Sequence, residues 1–382
     1  MITLELAMKI QMVDLQGQYT KMQDEIDQSV LRTIRNAAFI NGPEVKVFQK
    51  KLENFTGSKY VIPCANGTDA LQIALMALDL TPGDEIIVPA FTYVATAEVI
   101  ALLGLVPVMV DVDAHTFNID PAQIEKVITP KTKAIVPVHL FGQCSDMEPV
   151  MQLAEKYGLW VIEDNAQSLG SAYTFKNGVV RKTGTIGHIG CTSFFPTKNL
   201  GCYGDGGAIT TDIEDLAIKL RMIANHGQKI KYHHSVIGCN SRLDTIQAAV
   251  LNVKLNYLSE HLEARKKAAN YYTEALKDWS FAHTPKTNNN IIHTYNQYTL
   301  IVKNGYRDEL KAFLAERGIP TMIYYPLPLY HQEAFKRYTG NGYFLTNTEN
   351  LCKSVLSIPI HTELNEEIQS HIISSIIEFN PQ

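Results

Sequence analysis

Lys198 lies in the run Ser193-Phe194-Phe195-Pro196-Thr197-Lys198-Asn199-Leu200-Gly201, an apolar, aromatic and proline-containing setting rather than a charged face. Gly201, Gly204, Gly206 and Gly207 follow it, and glycine lets backbone approach a ligand closely. A lysine in a pocket of low polarity loses its charge more readily and becomes a better nucleophile. Covalent amine catalysis is the chemistry on offer, and a structural loop is the plainer alternative. Val161-Ile162-Glu163-Asp164-Asn165-Ala166-Gln167 ends a buried strand on two acids. Asp164 is there either as a helix cap or as a carboxylate facing a cationic ring nitrogen. Cys64-Ala65-Asn66-Gly67-Thr68-Asp69-Ala70-Leu71 leads into a helical run at Leu71, Leu75 and Leu78. A helix start carrying Gly67 and Thr68 presents free N–H groups to an anion, although an ordinary capped helix has the same look. It lacks the Gly-Lys-Ser/Thr ending of a nucleoside triphosphate loop. Phe91-Thr92-Tyr93 follows a strand, where an aromatic ring either joins the core or stacks on a planar ligand. Asn240 and Arg242 belong to a polar turn, Gly238 to Asp244, with Asp244 near the start of a helix.

These residues need a scaffold, and the middle of the chain supplies one. Strand-like runs at Glu85–Pro89, Val106–Val112, Ala134–Val138 and Trp160–Glu163 alternate with helical spacing over Ala97–Leu103, Pro121–Val127 and Met147–Tyr157. This rhythm predicts an α/β fold with a mostly parallel sheet covered on both faces. Ligands gather at the carboxyl ends of such strands, where Thr92-Tyr93, His139 and Asp164 stand. After about residue 250 the pattern changes. One long helix is predicted over Leu251–Leu276, then a strand at Tyr298–Val302, a helix at Arg307–Arg317 and a tyrosine-rich turn at Ile323–Tyr330. The expected organisation is an N-terminal arm over residues 1–20, a large α/β domain over 21–250 and a smaller α+β domain over 251–382. A chain of 382 residues fits about two domains.

Composition narrows the partners. The formal net charge of −5 gives no general attraction to nucleic acid. The longest apolar stretch, around Ala97–Val110, is interrupted by Glu98, Gly104 and Pro107, so no membrane insertion is expected. The six cysteines form no CxxC pair, so reduced thiols in a cytoplasmic protein are expected and a metal site is not. His233 and His234 are adjacent and cannot share a helix face as a metal pair would; an interface loop over the active site is the better reading. The start has no signal-peptide layout, and Met8 makes the first seven residues readable as an upstream extension.

NGTDAL, FTYVATAE, EDNAQS, SFFPTKNLGCYGDGGA and GCNSRLDTIQAA, in this order and spacing, resemble the DegT/DnrJ/EryC1/StrS family of sugar aminotransferases, from about Ile10 to the C-terminus. The resemblance implies the aspartate-aminotransferase fold of pyridoxal phosphate enzymes and a homodimer with shared active sites. It implies that Lys198 holds pyridoxal 5'-phosphate as a Schiff base and shuttles protons. Asp164 would pair with the pyridine nitrogen, and Gln167 would lie near the ring hydroxyl. Tyr93 would stack on the ring. Gly67, Thr68 and Ser193 would hold the phosphate, and Asn240 would reach the phosphate of the neighbouring subunit's cofactor. Val13-Asp14-Leu15 would pack as an arm on the other subunit. Glutamate is the implied amino donor and a nucleotide-linked keto sugar the acceptor.

Within the family the resemblance is strongest to enzymes that aminate C3 of nucleotide-linked 3-keto sugars. One subgroup acts on a UDP-linked 3-keto hexuronic acid derivative in bacterial O-antigen synthesis and reads the sugar carboxylate with the arginine at the position of Arg242. That subgroup carries His-Tyr-Pro where this chain has Tyr324-Tyr325-Pro326. A neutral 6-deoxy-3-keto sugar on dTDP therefore stays open, as does amination at C4. Tyr324 and Tyr325 read either as core or as sugar contacts. Related dehydratases replace the anchoring lysine with histidine, and a non-catalytic relative would be expected to lose Lys198 or Asp164. This chain keeps both.

Overall fold

The computed structural model describes residues 10–340 and 342–381. The expectation for the first seven residues lies outside them. The central sheet contains β1 (Tyr60–Cys64), β2 (Glu85–Pro89), β3 (Val106–Val110), β4 (Thr132–Ile135), β5 (Trp160–Asp164), β8 (Ile189–Ser193) and β9 (Gly207–Thr211), in the order β1-β9-β8-β5-β4-β2-β3. From β3 to β8 the strands run parallel, while β9 is antiparallel to both of its neighbours. A side ribbon joins β6 (Ala172–Thr174), β7 (Val180–Lys182) and β13 (Ile291–Ile292). β10 (Gln228–Ile230) and β11 (His233–His234) form an exposed hairpin that carries the two adjacent histidines.

Helices α1 (Leu15–Asn36) and α2 (Pro43–Thr56) precede the sheet. The crossovers are α3 (Gly67–Met76), α4 (Ala95–Leu102), α5 (Pro121–Val127) and α6 (Met147–Tyr157), and α7 (Glu214–Ala224) follows β9. Parallel strands need such crossovers and are covered on both sides by them. The run Glu85–Pro89 shows why it is apolar throughout. Ile86 and Val88 point into one core with Leu71, Leu75 and Ile100, while Ile87 points into the opposite core with Ile124 and Val150. None of the helices among the described residues is long and apolar enough to cross a membrane.

Four expectations need correction. The predicted helix Leu251–Leu276 is two helices, α8 (Thr245–Lys254) and α9 (Leu258–Leu276), joined by a 3-10 turn at Leu255–Tyr257. The first packs on α1 and α2 and the second on α12 (Glu366–Glu378), so one straight rod could not serve both. Two strands are shorter than predicted. β3 stops at Val110, and β4 stops at Ile135 ahead of Pro137, which has no N–H to give a ladder. Residues 15–20, expected in the arm, are the first turns of α1. Asp14 caps this helix by accepting from Gly17 N at 2.8 Å, and the helix packs on α8 of the same chain.

The C-terminal part builds its own core around the antiparallel strands β12 (Ala282–His283), β14 (Tyr298–Val302) and β15 (Val355–Ile358), with α9, α10 (Arg307–Glu316) and α12. It does not separate cleanly at residue 250. Tyr330 and Phe335 return to the core of the central sheet. Asp111 accepts from the N–H groups of Asn347 and Thr348, each at 2.9 Å, at the start of α11 (Thr346–Ser354).

Candidate active site

The expected residues converge beyond the carboxyl ends of the parallel strands. Asp164 is the last residue of β5 and is buried. Its carboxylate accepts from Thr96 Oγ1 at 2.7 Å and from Ala166 N at 3.1 Å. Burial raises its pKa, opposed by those two donors and by the charge of Lys198. Glu163 points to the other face, as strand alternation requires. It accepts from His139 Nε2 at 2.8 Å and from the N–H groups of Gly184, Ile186 and Gly187. His139 Nδ1 accepts from Ser145 N, so Nε2 carries the proton. His139 is fully buried behind Asp164, and its backbone N–H donates to the Asp164 carbonyl at 3.0 Å. Its place after a strand suggests a cleft residue; the structure makes it a support. Sequence reasoning missed Thr96, although it lies inside the FTYVATAE segment.

Lys198 sits in the loop between β8 and β9. Phe194, in the same loop, anchors it by packing edge-on to Phe48 at 5.2 Å. Burial of the Lys198 amine lowers its pKa to about 8, against the pull of Asp164 in the other direction. Raising the pH through about 8 strips the ammonium proton and increases the nucleophilic amine. Capture of added pyridoxal phosphate by the cofactor-free protein should therefore speed up through about pH 8 and then level off. Stopped-flow absorbance checks this, and a rate still climbing above about pH 10, where an ordinary lysine titrates, would contradict it.

Gly67 opens α3, capped by the Asn66 side chain accepting from Asp69 N at 2.8 Å. The first helical N–H groups have no carbonyl partner within the helix. A Cβ on Gly67 would lie 2.7 Å from Ser193 Cβ, and one on Gly207 would lie 2.4 Å from the Asn66 carbonyl. These close approaches bring Ser193 against the start of α3, where the free helix N–H groups favour an anion. Gly67→Ala is expected to weaken cofactor affinity about tenfold or more, the scale of one hydrogen bond to a charged group. Equilibrium titration measures it, and an affinity within twofold of wild type would remove this assignment.

Aromatic and amide groups complete the wall. Tyr93 is 56% exposed, and its ring centroid is 6.2 Å from that of Tyr325. Gln167 accepts from Phe141 N at 2.8 Å and donates to the Tyr325 hydroxyl at 3.1 Å. Tyr325 is packed against Phe91, with centroids 6.1 Å apart. Asn240 is exposed. Arg242 donates to Asn225 Oδ1 at 3.2 Å, and its Nε is buried without a partner among the described residues. Ser241 ties their turn to the α3 loop by accepting from Ala65 N at 3.0 Å.

A buried acid, an amine of lowered pKa, a helix start that favours an anion and exposed aromatic surface together fit pyridoxal phosphate. Comparisons with known proteins agree. A Pseudomonas aeruginosa UDP-2-acetamido-2-deoxy-3-oxo-D-glucuronate aminotransferase is 47% identical over 356 residues, 93% of this chain and 96% of that protein. A UDP-N-acetyl-3-dehydro-alpha-D-glucosamine 3-aminotransferase from Acidithiobacillus ferrooxidans is 41% identical, covering 96% of this chain and 97% of that one. The crystal structure of NtdA from Bacillus subtilis, with the cofactor PMP bound, superposes with a TM-score of 0.88 at 31% identity, over 96% of this chain and 84% of that one. Residues 20–377 match one family throughout, and the chain belongs to the DegT/DnrJ/EryC1/StrS aminotransferase family.

Proposed function

We propose that the protein transfers an amino group from glutamate to C3 of a nucleotide-linked 3-keto sugar, using pyridoxal phosphate anchored on Lys198. The observation that carries this reading is the buried Asp164 carboxylate beside the lowered-pKa amine of Lys198. Bound there, the cofactor supplies an electrophilic carbon and a protonated pyridine that accepts electrons. Every other part belongs to the chain. Asp164, steadied by Thr96 and Ala166, carries the negative charge that keeps a proton on the ring nitrogen. Gly67, Thr68 and Ser193 take the phosphate at the start of α3. Tyr93 packs on the ring, and Gln167 holds the ring hydroxyl. The free Lys198 amine removes the α-proton of glutamate in the first half-reaction and delivers a proton at C3 of the sugar in the second.

The assembly is a homodimer in this proposal, with Asn240 and Arg242 serving the neighbouring subunit's site. Exposed apolar side chains support it: Leu31, Ile34, Phe39 and Ile40 on and after α1, and Ile230, Tyr232 and Ile237 around the β10–β11 hairpin. Free cysteines, most of them buried, fit a reducing cytoplasm. Relatives acting on UDP-linked 3-oxo sugars support C3 and uridine. The test is a panel. Enzyme carrying pyridoxamine phosphate is mixed with UDP- and dTDP-linked 3-keto and 4-keto sugars, and return of the absorbance of the lysine-bound cofactor is followed. Response to 3-keto sugars supports the reading, and response to 4-keto sugars alone overturns it.

A further inference from the structure

Beside Lys198 a cavity of about 240 Å³ opens between the N-terminal segment and the C-terminal sheet. Gln11, Val13, Thr197, Asn296, Gln297 and Tyr324 are in its wall. Tyr324 packs edge-on to Tyr325 with ring centroids 5.9 Å apart, and Thr197 is bonded to Lys198, so the cavity adjoins the cleft. Among the described residues no lysine, arginine, aspartate or glutamate lines it. The N-terminal segment is fixed there by Ile360 N donating to the Met12 carbonyl at 3.4 Å.

Asn296 is only 3% exposed. Its Nδ2 donates to Gln297 Oε1 at 2.7 Å, whereas Oδ1 has no partner among the described residues. A buried acceptor left unmet is destabilising, so its persistence beside an active-site cleft calls for a ligand donor. We infer that Asn296 is a specificity-determining residue whose carbonyl accepts a hydrogen bond from an N–H or O–H on an uncharged edge of the substrate sugar. This rests on the keto-sugar reading given above. Glutamate does not meet the site. Its carboxylates bring no donor, and its one donor, the amino group, is the reacting atom at Lys198. A ring hydroxyl or an acetamido N–H meets both conditions.

Asn296→Leu keeps the volume and removes the acceptor, and Asn296→Ala guards against a variant that fails to fold. In the holoenzyme both are expected to raise KM for the keto sugar about 3- to 10-fold, the range of one neutral hydrogen bond, with the glutamate half-reaction within twofold of wild type. Calorimetry with the amino-sugar product and its 2-, 4- and 6-deoxy forms adds a readout independent of turnover. The wild type should bind one deoxy form about 3- to 10-fold more weakly than its parent, and the variants should bind those two alike. If the wild type turns over a keto sugar while both variants keep its KM, the inference fails alone. Equal losses in the two half-reactions, or no deoxy form whose penalty depends on Asn296, also overturn it. If the wild type completes the glutamate half-reaction but accepts no keto sugar, the functional reading falls and this one with it.

Discussion

Lys198→Ala is expected to lower turnover by about 10⁴-fold or more, the upper end of what one positioned general base contributes. Two losses combine. Under the proposed function the variant lacks the amine that moves the proton at the substrate carbon, and it lacks the covalent anchor for the cofactor. The surroundings should survive, because Phe194 and the glycines that follow, rather than the Lys198 amine, hold the loop in the core. Thermal unfolding close to wild type, lost absorbance of the lysine-bound cofactor and partial rescue by a small primary amine would be the pattern. Turnover at the wild-type rate would end the assignment.

Asp164→Asn is the second large effect, expected at about 10²–10³-fold in turnover, the scale of removing one preorganised electrostatic group. Asparagine keeps the shape and can still bond Thr96 and Ala166, so the change is mainly one of charge. The charge of Asp164 also raises the pKa of the Lys198 amine. Its removal should let that pKa fall below about 8, leaving more neutral amine at pH 7. Cofactor capture should then be as fast as in wild type, or faster, while turnover collapses. A variant slow in both steps would point to a structural role for Asp164, and turnover within tenfold of wild type would deny it an electronic one.

The parts of this molecule that could be read from sequence are those whose cause is local. Ile86, Ile87 and Val88 are apolar in succession because both faces of β2 are covered, and that alone distinguishes a buried parallel strand. The glycines after Lys198 signal close backbone approach, and the clash distance at Gly207 shows one place where it occurs. What escaped has a non-local cause. The break between α8 and α9 answers to different helices packed on each. His139 looked like a cleft residue because it follows a strand, yet Glu163 and Ser145 claim both of its ring nitrogens. Thr96 was inside a recognised segment, but nothing in its spacing announces a bond to Asp164. Asn296 and Gln11 are far apart in the sequence, and no sequence window contains both.

That last separation bears on how such a protein diverges. Asp164, Lys198, Gly67 and Ser193 belong to strands of the central sheet or the segments directly joined to them. Most of the cavity wall, including Gln11, Val13, Asn296, Gln297 and Tyr324, comes from segments outside that sheet. A mutation in the wall can alter which sugar fits while the reactive centre keeps its geometry. Under the sugar-selection inference, descendants of one ancestral gene trade acceptors through a few changes in segments far apart in the sequence, with the amine chemistry inherited intact.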